Sequence, residues 1–229
     1  MAITKKRSKK RVLIVDDHPV MRQGLAQVID QEPDLMACGE ADTASQALNS
    51  IAARKPDLVL ADISLPDKSG IELIKDIQVY HPDLPVLVFS MHDESLFAER
   101  VLRAGGRGYI MKHEAGAKLV QAIRQVLGGH IYVSEKMSAR ILETFSGRRT
   151  ESVTSPVERL SDREFEVFQL IGQGGPTREI AERLHISAKT VEVHRANIKK
   201  KLKLKHAIEL VRCAVRWAEA QNPGRTGPL

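Results

Sequence analysis

Five short apolar runs recur between Val12 and Met111, and a stretch with helical apolar spacing follows each one. This alternation constrains the fold more than any other feature of the chain. The runs cover 12–15, 35–40, 58–61, 86–89 and 108–111, and the amphipathic stretches cover 19–31, 44–54, 70–80, 94–104 and 117–127. In the first stretch Val20, Leu25, Val28 and Ile29 fall on one helical face. The strand-sized runs are apolar throughout rather than alternating, as in strands buried on both faces. Such strands need helices on either side, so the sequence predicts an α/β domain with a five-stranded, doubly wound parallel sheet over residues 11–130. In sheets of this kind ligands bind beyond the C-terminal ends of the strands.

The remainder of the chain has a different pattern. Residues 136–145 predict one further amphipathic helix, and 146–156 are polar and aperiodic, so 131–156 is expected to be a connecting helix and linker. From 157 to 220 the periodicity is purely helical, which predicts a small all-α domain. Residues 221–229, with two Pro and two Gly, and 1–10, with a basic run from Lys5 to Arg11, are expected to be tails. Charge separates the two domains. The net charge is +6, and nine Lys/Arg against three Glu between Thr177 and Lys205 account for all of it. A short segment with that excess is the electrostatic footprint of a nucleic-acid-binding element. No apolar run approaches the roughly 20 residues of a membrane helix, and no apolar segment follows the basic start as in a signal peptide. Cys38 and Cys213 make neither a metal motif nor a disulfide framework. A cytoplasmic protein without membrane attachment is expected.

The sheet brings chemistry to one edge. Asp16 and Asp17 follow the first strand, Asp62 ends the third, Ser90 the fourth and Lys112 the fifth. Close carboxylates repel one another unless a cation compensates. Oxygen donors without Cys or His suit a hard ion, Mg²⁺. A carboxylate beside such an ion can attack phosphorus, and a lysine and a hydroxyl can share the phosphoryl charge. Each residue also has a plainer reading. Asp16 or Asp17 can cap the helix after the first strand, Ser90 can cap the helix that follows it, and Lys112 can be a surface lysine.

The basic segment predicts two helices joined by a tight turn. Ser161 and Glu164 form a capping-box pattern, and Gly172, Gly174 and Gly175 end the helix they start. Ile180, Ala181 and Leu184 point inward, Ile186 anchors the turn, and Ser187 is an N-cap for a helix whose inner face is Val191, Ile198 and Leu202. The outer face carries Lys189, Glu192, Val193, Arg195, Ala196, Lys199 and Lys200, a set that fits a major groove. A helical hairpin with a solvated charged face is the alternative.

Two resemblances cover nearly the whole chain. Val-Leu-Ile-Val-Asp-Asp-His-Pro, Pro-Asp-Leu-Val-Leu-Ala-Asp-Ile-Ser-Leu-Pro-Asp-Lys-Ser-Gly, Val-Phe-Ser-Met-His-Asp-Glu and Gly-Tyr-Ile-Met-Lys resemble the receiver domain of two-component response regulators, a flavodoxin-like fold. By position this resemblance makes Asp62 the phosphoacceptor. It makes Asp16, Asp17, Asp62 and the Ser64 backbone carbonyl the Mg²⁺ ligands, Ser90 and Lys112 the phosphoryl-stabilising groups, and Tyr109 the switch aromatic, which turns inward on phosphorylation. Pro66 and Gly70 fit the loop after Asp62. The run from Glu179 to Leu202 resembles the LuxR-type helix-turn-helix, and with the receiver it resembles the NarL/FixJ class. Glu192, Val193 and Ala196 are then base-reading positions, and Lys189, Thr190, His194, Arg195, Lys199 and Lys200 are candidates for phosphate contacts. The last helix, 207–217, resembles a dimerisation helix, although Trp217 can serve core packing alone. Pro176 departs from the family, which more often has a serine there.

The resemblance implies a sequence-specific, DNA-binding transcription regulator controlled by phosphorylation of Asp62. Its partners would be a sensor histidine kinase and double-stranded DNA, and it would be a homodimer when phosphorylated or DNA-bound. Phosphorylation could act by relieving inhibition or by driving dimerisation. Two alternatives are DNA binding that ignores phosphorylation and a Mg²⁺-dependent phosphohydrolase. Hydrolases with an aspartyl nucleophile usually have a second acid two residues on. Ser64 stands there, so no enzyme activity beyond slow self-dephosphorylation is expected.

Overall fold

The structure is a computed structural model that describes residues 9–114, 116–145 and 156–221. The chain divides into two compact units, Met1–Arg149 and Thr150–Leu229. Residues 146–155 of the expected linker, most of the N-terminal tail and the last eight residues of the chain lie outside the described residues.

The first unit is built from β1 (Lys10–Val15), α1 (Pro19–Asp30), β2 (Leu35–Ala41), α2 (Ala44–Arg54), β3 (Leu58–Ala61), α3 (Gly70–Tyr80), β4 (Val86–Ser90), α4 (Glu94–Arg103), β5 (Gly108–Met111), α5 (Ala117–Leu127) and α6 (Glu135–Phe145). All strand pairs are parallel, in the order β2-β1-β3-β4-β5. The chain leaves β1 toward β2 on one side and returns past it to β3 on the other. Right-handed crossovers in opposite directions put α1 on one face and α2, α3 and α4 on the other. On the first face Val12, Ile14, Leu60, Leu87, Phe89 and Ile110 pack with Leu25 and Ile29 of α1 and Leu119 and Ile123 of α5. Alternate strand residues Leu13, Val59 and Val88 face the other way and are equally inaccessible. This two-sided burial explains why the runs read as continuous.

Two features depart from the sequence expectation. Lys10 is the first residue of β1 rather than tail. After α5 the chain returns to the sheet edge, where Tyr109 N donates to Tyr132 O at 2.8 Å and Gly108 bridges Tyr132 in parallel.

The second unit contains α7 (Asp162–Gly172), α8 (Thr177–Arg183), α9 (Ala188–Lys201) and α10 (Ala207–Gln221). The central helix is α7, which packs against the other three. Its capping box is complete: Ser161 accepts from Glu164 N, and the Glu164 carboxylate accepts from Ser161 N. Phe165 and Phe168 meet Trp217 edge-on, with centroids 5.3 and 5.7 Å away. Trp217 therefore serves the core of this unit. Gly172 lets α10 approach, because a Cβ there would come within 2.5 Å of Ala214 O.

Gly70 fixes the loop that follows β3. Its N–H donates to Ile63 O at 2.7 Å, and a Cβ at this position would overlap the Asp62 carbonyl oxygen. Gly70→Ala should destabilise the first unit by about 2 kcal/mol, the range of overpacked core sites. Urea unfolding followed by circular dichroism checks this, and an unchanged midpoint contradicts it.

Candidate functional site

Asp16, Asp17, Asp62, Ser90 and Lys112 meet at the C-terminal edge of the sheet, where the strand order reverses. The plainer readings of the aspartates and the serine fail on local geometry. The N-cap of α1 is His18, with Pro19 in the first turn and no side-chain cap bond. The N-cap of α4 is Asp93, which accepts from Ser95 N. The N-cap positions are thus held by His18 and Asp93, while Asp16 Oδ1 accepts from His18 N at 2.9 Å and Ser90 Oγ from His92 N at 3.4 Å just ahead of the two helices. Lys112 is no surface lysine either, since its side chain is only 4% exposed. Its ammonium lies 2.6 Å from Asp16 Oδ2 and 2.7 Å from Asp62 Oδ2.

The frame around these groups is tight. Asp62 N donates to Val15 O at 2.8 Å, joining β3 to β1. Asp62 Oδ1 accepts from Ile63 N at 2.6 Å. Arg22 Nη1 donates to the Asp16 carbonyl at 2.6 Å. Asp67 accepts from Ala44 N and Ser45 N at 2.8 and 2.9 Å, which ties the β3–α3 loop to the start of α2. Burial raises the Asp62 carboxyl above its ordinary range, and the nearby Lys112 charge offsets this only in part. Burial alone would lower Lys112, but Asp62 and Asp16 outweigh it and hold the ammonium above its ordinary value. The Asp62 direction reports chiefly burial, and the Lys112 direction reports the two carboxylates beside the ammonium.

The other wall carries the hydroxyl and the aromatic ring. Ser90 is fully buried beside Asp62 and Tyr109, and its hydroxyl oxygen accepts from His92 N at 3.4 Å. Tyr109 is already inside: its ring is fully buried, and its hydroxyl donates to His92 O at 2.8 Å. The inward position that the sequence reading reserved for the phosphorylated form is therefore present in this structure. Burial pushes the Tyr109 phenol well above its ordinary range, so it stays a donor.

In the second unit Val191 and Ile198 of α9 are buried, while Lys189, Glu192, Val193, Ala196 and Lys200 are exposed. Val193 is 52% exposed. Thr190, His194, Arg195 and Lys199 are half-buried. The Thr190 hydroxyl sits 2.8 Å from Ser187 Oγ, within the N-terminal cap of the helix. Arg195 lies along the bundle with 17% of its side chain exposed. Lys201, in the same basic run, donates to Glu164 Oε2 at 2.6 Å and tethers the end of α9 to the capping box of α7.

Residues 12–124 match the family described as the response regulator receiver domain, and residues 158–214 match the bacterial regulatory proteins of the luxR family. The oxygen regulatory protein NreC of Staphylococcus carnosus is 34% identical over 210 residues, spanning 90% of this chain and 97% of the relative. This chain belongs to the LuxR family of response regulators. It is a DNA-binding transcription regulator in which a receiver precedes the helix-turn-helix. RcsB from Salmonella enterica serovar Typhimurium, solved bound to promoter rprA with the phosphomimetic BeF₃⁻, has a TM-score of 0.58 at 27% identity over 91% of this chain and 99% of its own. A LuxR-family response regulator from Aurantimonas sp. SI85-9A1 has a TM-score of 0.56 at 34% identity, covering 61% of this chain and 99% of its own.

Two histidines of this response regulator join the receiver site although the sequence reading passed over them. His18 Nδ1 lies 2.7 Å from Asp17 Oδ1 and 3.2 Å from Asp16 Oδ1, so the cluster is not free of nitrogen. His92 Nε2 lies 2.9 Å from Ser64 Oγ and links the β3 and β4 loops. The signal available was proximity alone, since each stands within two residues of a site residue.

Glu164 generates a pH prediction. Burial alone would raise its carboxyl, but Lys201 and the Ser161 N–H outweigh burial and hold it below its ordinary value. The unfolded chain then takes up the proton first as pH falls. The stability from this group is full above the ordinary glutamate range and is lost as pH drops through the folded value. Glu164→Gln should cost about 1 kcal/mol at neutral pH, a figure discounted because Lys201 is 40% exposed. The difference from the wild type should shrink on acidification below the glutamate range. Trp217 is the single tryptophan and lies in this unit, so its fluorescence during denaturant unfolding reads the effect. A gap that stays constant with pH contradicts it.

Proposed function

We propose that Asp62 accepts a phosphoryl group from a sensor histidine kinase and that this raises the affinity of the helix-turn-helix for double-stranded DNA. The observation that carries the reading is the Lys112 ammonium shared by Asp16 and Asp62 in a buried pocket of excess negative charge. The donor set fits Mg²⁺: Asp16, Asp17 and Asp62 offer carboxylate oxygens that lie within 4.8 Å of one another, and the Ser64 carbonyl follows at the same edge. His18 also falls in this cluster, but its ring is 64% exposed and paired with the carboxylates, which suits an orienting partner better than a ligand. The chemistry such an ion supplies is neutralisation of charge on the phosphoryl oxygens.

The residues of the chain divide the remaining work. An Asp62 carboxylate oxygen attacks phosphorus, the new O–P bond forms, and the P–N bond to the kinase histidine breaks with imidazole as leaving group. Lys112 then exchanges a carboxylate oxygen for a phosphoryl oxygen. Ser90, already within hydrogen-bond reach of Asp62, donates its hydroxyl to the same group. Tyr109 is packed against Ser90, so movement of Ser90 changes what holds the phenol and, through His92, the start of α4. On α9, Glu192, Val193 and Ala196 read bases, and Lys189, Lys199 and Lys200 meet phosphates. Two such helices in a homodimer read two half-sites. Hydrolysis is confined to slow loss of the chain's own phosphate, because Ser64 supplies a hydroxyl held by His92 where a general acid would be needed. A cytoplasmic setting agrees with the free thiols of Cys38 and Cys213, and no helix among the described residues is long and apolar enough to cross a membrane.

Asp62→Asn keeps the shape and removes the nucleophile. With Mg²⁺ and a small phosphodonor it should take up no stable label and show no gain in DNA affinity, and normal labelling overturns the assignment. Lys199→Ala should weaken binding to all sequences alike and reduce the salt slope by about one. A change confined to one base position would place Lys199 in base reading instead.

A further inference from the structure

The Glu192 carboxylate is held from outside its own helix. Thr177 is the first residue of α8, after Pro176 as N-cap with no side-chain cap bond. The Thr177 hydroxyl reaches across to α9 and donates to Glu192 Oε1 at 2.9 Å. Arg195 Nε lies 3.7 Å from the same oxygen. Both contacts converge on Oε1 and leave Oε2 to accept from a partner, with the Glu192 side chain 61% exposed.

A carboxylate only accepts hydrogen bonds, and DNA phosphates repel it, so it can contribute in a groove only at a base edge that donates. The major groove offers two such groups, cytosine N4 and adenine N6. Adenine sets its N7 acceptor beside N6, where it faces the carboxylate with like polarity. Cytosine has a C–H in the corresponding place. We propose that Thr177 is a positioning residue that holds the Glu192 carboxylate to accept from the N4 amino group of a cytosine, once in each half-site. A loose glutamate would lose its rotamer freedom on binding, and one already held has less to lose. The inference rests on the base-reading role given above to the outer face of α9.

The test uses the full-length chain with Mg²⁺ and a small phosphodonor. Sites are selected from random DNA with the wild type, Thr177→Val, Thr177→Ser and Glu192→Gln. Affinity is then measured on the selected site and on the same site with that cytosine replaced by a pyrimidinone base lacking the amino group. The wild type should select one cytosine per half-site and lose about tenfold in affinity without the amino group, as for one mismatched pair. Thr177→Val should reduce that penalty to about twofold at an unchanged salt slope, and Thr177→Ser should restore it. Glu192→Gln should shift the preference toward adenine, whose N6 and N7 an amide can bind together. A full penalty in Thr177→Val overturns the positioning role alone, and adenine at that position in the wild type overturns the cytosine assignment. No change in preference with Glu192→Gln overturns the base-reading face itself. The amino-lacking site needs only the wild type, so the cytosine assignment stays testable if Thr177→Val does not fold.

Discussion

One ammonium group, Lys112 Nζ, holds the functional edge of the receiver together. Two carboxylates from different strand ends, Asp16 and Asp62, approach it to 2.6 and 2.7 Å in a pocket closed to solvent. Removing one partner from such a buried set leaves an uncompensated charge and costs about 3–5 kcal/mol. The sheet order brings Lys112 to this place. β4 and β5 lie beside β3, and β3 lies beside β1, so the residues that end these strands share one edge. The carboxylates outnumber the lysine. The remaining negative charge makes the pocket receptive to a cation, and it makes the balance sensitive to any group that arrives on Asp62.

That balance reaches the surface through short contacts. Ser90 touches Asp62 on one side and Tyr109 on the other. Tyr109 donates to the His92 carbonyl, and the His92 ring lies 4.7 Å from Phe97, a buried residue of α4. The His92 ring also meets the Ser64 hydroxyl, two residues beyond Asp62. A change in the partners of Lys112 and Ser90 therefore has a packed route to α4 through Tyr109, His92 and Phe97.

Most of the fold was legible in the sequence because both faces of the sheet are covered, which forces uninterrupted apolar strands such as Val12–Val15 and Leu58–Ala61. The edge residues were legible because they fall at the C-terminal ends of four of the five strands, β1, β3, β4 and β5. Contacts between elements far apart in sequence were not, since no local spacing encodes them. The Gly108–Tyr132 bridge, the His92–Ser64 bond and the Thr177–Glu192 bond are of this kind. Side chains with two uses are not separated by local spacing either: the Thr190 hydroxyl sits beside Ser187 in a helix cap, and Tyr109 is buried with its hydroxyl bonded to the His92 carbonyl. Pattern identifies an aromatic at the edge but not which of its positions the surrounding packing selects.

The coupling we propose runs from Asp62 to DNA binding through the charge shared on Lys112. Its most direct test is the operator affinity of full-length protein with Mg²⁺, before and after a small phosphodonor, in the wild type and in Lys112→Met. A gain of about 5–150-fold is expected in the wild type, the usual range of a coupling free energy between two sites, and none in Lys112→Met, with affinity for non-specific DNA equal in the two. A full gain in Lys112→Met would contradict it.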